Sequence, residues 1–150
     1  MEKNLFDLLA KKAYAENAGV PELNELWGNT FLLDNWFFIA RGPIGHPHPY
    51  IASRPDTCEG KHMIRAFTDT EKLSAFAKEN NLLEEDNGIR ILTVPTIKII
   101  NWITPFAQHE VFGIWFNSDN NSNGFYAPIL QLQSIKEYLD KTWVRNPRKN

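Results

Sequence analysis

Hydrophobic positions change period several times along the chain, and each change marks an element. Leu5, Leu8, Leu9 and Ala13 recur at helical spacing, one face of an amphipathic helix that Gly19 is expected to stop. Pro21 suits the first turn of a second, short helix carrying Leu23, Leu26 and Trp27 inward. Residues 30–41 (TFLLDNWFFIAR) are apolar at successive positions from 36 to 40, which predicts a strand buried on both faces. Residues 62–68 and 88–94 read as further strands, the second opening after an Asn87-Gly88 turn. Thr68 and Glu71 have the spacing of a capping box, and the helix beyond them places Leu73, Phe76 and Ala77 on one face. Pro95 opens another helix with Ile99, Ile103 and Phe106 inward, limited in length by Pro105. Residues 111–117 form a strand, with Phe125-Tyr126-Ala127 as its partner across an Asn-rich turn. Ser134 and Glu137 predict the cap of a last helix whose buried stripe is Ile135, Tyr138, Leu139 and Trp143.

Residues 42–60 interrupt this pattern. They hold four prolines, three glycines and no periodicity, and are expected to form a long loop. No repeat or linker divides the chain. The expectation is one α+β domain over residues 1–150, with a core at about 4–143 and a flexible tail at 144–150. Its mixed β-sheet of about four to six strands would be covered by helices.

Composition narrows the class. A hydrophobic share of 43% over 150 residues supports a full core without metals or disulfides. The net charge is −2, and the only basic cluster is Lys141, Arg145, Arg148 and Lys149 at the C-terminal end, so no nucleic-acid partner is expected. Cys58 is the sole cysteine, which excludes an intrachain disulfide and suits a reducing, cytoplasmic setting. No apolar stretch has the length of a membrane span, and the opening residues lack an unbroken apolar signal region.

Several segments in order resemble the N-terminal domain of the SseB family, the enhanced-serine-sensitivity proteins. They are the Leu-rich opening helix, the aromatic strand Asn35-Trp36-Phe37-Phe38-Ile39, and Met63-Ile64-Arg65-Ala66-Phe67-Thr68-Asp69 leading into a helix with Ala75-Phe76-Ala77. Gly113-Ile114-Trp115-Phe116-Asn117 resembles the family's apolar strand ending in Asn, followed by a turn, a short strand and a closing helix. The resemblance spans about residues 4–143. It implies an α+β fold and a bacterial-type interaction role, and it supplies no catalytic residues to carry across.

Candidate chemistry is sparse. Asp119-Asn120-Asn121-Ser122-Asn123-Gly124 begins like a calcium loop, but Leu130 stands where the twelfth-position Glu is required. Asn and Gly in a turn explain the same letters. His46, His48, Cys58 and His62 carry the atoms of a zinc site, but without paired ligand spacing, and Pro47 and Pro49 disfavour a common ligand face. A Cys58/His62 nucleophilic pair lacks an oxyanion hole. His109-Glu110 lacks the second histidine of a metalloprotease helix, and residues 84–86 read as a solvated acidic turn. No catalytic residue and no cofactor is assigned.

Phe, Trp and Tyr make up 13% of the chain. Most should be core, yet Trp27, Trp36, Trp102, Trp115 and Trp143 are many to hide in a small domain, and exposed aromatics serve as binding anchors. The expected function is therefore a non-enzymatic domain that binds another protein, or a second copy of itself, through the 42–60 loop. Its contact residues would be His46, His48, Tyr50, Trp36 and Trp115. Alternatives are a toxin-neutralising immunity-type protein, a metal-dependent enzyme using His46, His48, Cys58 and His62, and a small-molecule sensor.

Overall fold

The strand Asn35–Arg41 (β1) organises the domain, because its apolar run leaves no face for water. Trp36 and Phe38 enter one core with Ile64, Ala66, Ile114 and Phe116, while Ile39 joins a second with Phe67, Leu73, Phe76 and Ala77. The computed structural model describes residues 5–53, 60–119 and 124–143. Around β1 lie the helices α1 (Leu5–Ala13), α2 (Val20–Leu32), α3 (Thr70–Glu79), α4 (Ile99–Ile103) and α5 (Leu132–Thr142). The other strands are β2 (His48–Pro49), β3 (Ile51–Ala52), β4 (Met63–Phe67), β5 (Ile91–Pro95), β6 (Gly113–Phe116) and β7 (Phe125–Pro128).

The main sheet runs β5–β1–β4–β6–β7, antiparallel throughout except for the parallel pair β4 and β6, where Met63 faces Gly113 and Ala66 faces Phe116. The fold is the expected α+β single sheet. Side chains of α1, α2, α4 and α5 fill the core on one face. On the other face α3 supplies the smaller core. Aromatic rings link the larger core: Trp36 meets Phe116 edge-on at 4.8 Å, and Phe116 stacks on Phe125 at 5.1 Å.

The seven strands exceed the expected four to six because the region read as loop contains β2 and β3. β1 and β4 pair only as far as Phe38 and Ala66, then part. Residues 48–52 enter the fork as a V. One arm pairs with β1 (Ala40 opposite Pro49), the other with β4 (Ile51 opposite Ile64). At the apex the Tyr50 N–H donates to Ile39 O at 2.8 Å and Arg65 N–H donates to Tyr50 O at 3.1 Å. Pro suits such short arms, since a missing N–H costs little where the ladder is only two residues long.

Other differences have local causes. α1 ends at Ala13 and Gly19 instead caps α2, where the Glu22 carboxylate accepts the Gly19 N–H at 2.8 Å. α3 is capped by Asp69, which accepts from Lys72 N–H at 2.8 Å, and not by Thr68. Asp69 was the better acceptor one residue later, and Thr68 is engaged elsewhere. Pro95 closes β5, and a 3-10 turn (Thr96–Lys98) precedes α4. The same strand–Pro–turn–helix order recurs at Pro128, so α5 starts at Leu132 and Ser134 lies inside it rather than at its cap. Leu8, Leu23 and Tyr138, expected inward, are 47%, 40% and 46% exposed. The tail at 144–150 lies outside the described residues.

Candidate functional site

Parallel strands bring their carboxyl ends together, and in open sheets the crevice beyond those ends is a recurrent binding place. Here β4 leaves through Thr68 and Asp69 into α3, and β6 leaves through Asn117, Ser118 and Asp119. Asn117 has left-handed backbone geometry (φ 55°), a conformation Asn tolerates better than most residues. That turn aims its side chain back at β4, where Oδ1 accepts the Thr68 N–H at 3.0 Å and Nδ2 donates to Thr68 Oγ1 at 3.0 Å. The two strand ends are thus clasped by side chain as well as by ladder.

Below the clasp lies Arg65, which is only 5% exposed. Its pleat position puts it on the α3 side, and Trp115 is its register partner on β6. The guanidinium lies 4.5 Å from the centre of the Trp115 ring, a cation–π contact. Nε and Nη2 donate to Ala52 O at 3.3 and 3.2 Å, and Nη1 donates to Ser118 Oγ at 3.1 Å. Arg65 therefore ties the V-shaped insert to the exit of β6. It also lines a crevice of about 250 Å³ with Tyr50, Ser53, Asn80 and Asp119.

A larger groove of about 730 Å³ adjoins it, with Phe76 and Asp119 common to both. Its walls are α1 and α3, spanned by a 3.0 Å ion pair between Lys72 Nζ and Asp7 Oδ2. The walls carry Leu8 and Tyr14, and the β7 side carries Tyr126. These three are 47%, 51% and 40% exposed. Tyr14 stacks on Tyr126 at 6.4 Å, and its hydroxyl accepts the Tyr126 N–H at 3.4 Å.

The contact residues expected from sequence do not assemble into one surface. Trp36 is fully buried, with its indole N–H donated to Thr30 O at 2.9 Å, and Trp115 is 2% exposed beneath Arg65. Both are core residues, and their expected place at a contact surface is corrected. Both sit on central strands with a helix or a cation over the ring. Tyr50 is half-buried at the apex of the V, 6.0 Å from the Phe76 ring. His46 and His48 are exposed, the first in a turn closed by His46 N–H to Pro43 O at 3.1 Å. His62 is exposed ahead of β4, and Cys58 lies outside the described residues, as does most of the calcium-like stretch. Among the described residues no three His, Cys, Asp or Glu side chains converge as metal ligands.

Nothing in the sequence marked Tyr14, Arg65, Lys72 or Tyr126 as site residues, and Leu8 was expected in the core. By spacing Leu8 belongs to the apolar stripe of α1 and Tyr14 follows the helix end, and nothing in a periodicity argument separates a groove wall from a core face. Among the described residues, no helix is long and apolar enough to cross a membrane. No protein-family model and no curated protein matches the chain.

Proposed function

We propose that this chain is a non-enzymatic, SseB-like domain that binds another protein, with the partner seated in the groove between α1 and α3. One observation carries the reading. Leu8, Tyr14 and Tyr126, three of the large hydrophobic side chains left exposed, share one concave surface. Isolated exposed hydrophobics are ordinary, whereas a cluster in a groove rimmed by charge marks a contact site. Tyrosine suits such a place because it offers large apolar area at small entropic cost together with a hydroxyl. Asp7, Lys11, Lys72 and Glu79 supply the polar rim typical of protein interfaces.

This reading moves the contact surface from the 42–60 loop to the helices. The test compares tagged wild type with Leu8→Glu, Tyr126→Arg and Ile44→Glu in pull-downs from the source cell, read by mass spectrometry. A partner lost with the two groove variants and kept by Ile44→Glu supports the proposal. A partner lost only with Ile44→Glu returns the contact to the loop. Circular dichroism on each variant verifies that the fold is retained.

A further inference from the structure

The two outer edges of the sheet are treated differently. β7 is short, ends at Pro128, and has its Tyr126 N–H engaged by the Tyr14 hydroxyl. These are recognised ways of blunting an edge against strand pairing. β5 has five residues. Its ladder with β1 is bounded by Ala40 N–H to Arg90 O and Thr96 N–H to Asp34 O, both 2.9 Å. Antiparallel pairing alternates, so Arg90, Leu92, Val94 and Thr96 address β1, while the backbone groups of Ile91, Thr93 and Pro95 point away from it. Among the described residues, no group accepts the Ile91 or Thr93 N–H on that side.

We propose that the β5 edge is a self-association surface, pairing antiparallel with β5 of a second copy about a two-fold axis at Thr93. The backbone inventory is self-complementary in that register. Thr93 N–H donates to Thr93 O of the partner subunit, Ile91 N–H donates to Pro95 O of the partner subunit, and both bonds repeat by symmetry. Pro95 has no N–H, and this register asks it only to accept. Every outward donor on the edge is then matched.

Side chains and charge select the same arrangement. Ile91 is 41% exposed and falls opposite the partner's Pro95, while Ile97, 90% exposed just beyond the strand, approaches the partner's Ile89. Glu85 and Asp86 are exposed in the turn before β5, and Lys98 is exposed just after it. Antiparallel pairing sets Lys98 beside the acidic turn of the other subunit. Parallel pairing would set acid against acid and Lys98 against Lys98, which is unfavourable. Charge complementarity thus favours a second copy in this orientation over an arbitrary added strand.

The test is sedimentation equilibrium of the full chain at concentrations up to ~200 μM, a range that captures weak dimers with small interfaces. Wild type is expected to dimerise. Thr93→Lys places two like charges on the axis without touching the β1 ladder, and should raise the dimer Kd at least ~10-fold with an unchanged far-ultraviolet spectrum. Lys98→Glu should weaken the dimer, and Lys98→Glu with Glu85→Lys should restore it. Wild type remaining monomeric throughout, or Thr93→Lys dimerising as tightly as wild type, overturns the surface. Failure of the charge swap to restore association overturns the antiparallel register.

Discussion

Gly28 lies in the middle of α2, where glycine is ordinarily a weakness. Replacing it by alanine in an exposed helix gains about 1 kcal/mol. Here the opposite sign is expected. A Cβ on Gly28 would sit 2.6 Å from the Cη2 and Cζ3 atoms of Trp143, and 2.7 Å from Cδ2. The indole therefore lies flat on the helix backbone, with its N–H donated to Glu25 Oε1 at 3.3 Å. It joins α2 to the end of α5. A contact that short forces the ring off the helix, and displacing a half-buried tryptophan costs about 2–3 kcal/mol, somewhat less than a full core truncation. Against the propensity gain, Gly28→Ala should be destabilising by about 1–2 kcal/mol, or about 3–6 °C in Tm for a domain of this size. Urea unfolding of wild type, Gly28→Ala, Trp143→Ala and the double variant, followed by circular dichroism, measures the coupling directly. In the Trp143→Ala background the clash is gone, so Gly28→Ala should become stabilising by about 0.5–1 kcal/mol. Gly28→Ala stabilising the wild-type chain, or the two changes simply adding, would refute the argument.

Other outcomes follow from single contacts. Asn117→Ala should cost about 2–3 kcal/mol, since it leaves the buried Thr68 N–H without its acceptor and keeps a left-handed residue. Asn117→Gly should be milder by about 1 kcal/mol because glycine tolerates that geometry, and denaturant midpoints separate the two. The Thr96 hydroxyl is buried with no partner among the described residues, so Thr96→Val should raise stability by about 1 kcal/mol in the same assay. The Gly19 N–H, then the Glu22 N–H, lower the Glu22 pKa below its ordinary 4.5. A lowered folded-state value means the cap contributes at pH above the unfolded value and is lost as pH falls through the folded one. Glu22→Gln should therefore flatten the fall in Tm below about pH 4.5 relative to wild type, which scanning calorimetry across pH will read.

Much of the architecture was legible because it rests on periodicity. The continuous run 36–40 announced a strand covered on both faces, and Leu73, Phe76 and Ala77 announced the buried face of α3. The V at 48–52 was not legible, because its pairing comes from the fork between β1 and β4 and not from any pattern of its own. Asp69 displaced Thr68 as a cap for a reason equally remote in sequence, the clasp with Asn117. The site was legible least of all. Aromatic content pointed to exposed rings, but it did not distinguish Trp36, whose N–H is satisfied inside the core, from Tyr126 at a groove. Exposure depends on what the rest of the chain places over a residue, and local composition does not carry that information.

The V-shaped insert also bears on how the chain reaches its native state. β1 and β4 present matching backbone groups beyond Phe38 and Ala66, and in the absence of residues 48–52 nothing stops them from zipping further. An over-zipped ladder that joins Ile39 to Arg65 would shut Tyr50 out and strand Arg65 away from Ala52. The insert and the fork thus compete during folding, a loop of modest length against a pairing with larger sequence separation. The shorter closure has the entropic advantage, so the spacing of β1, the V and β4 favours pairing of the insert before the fork closes.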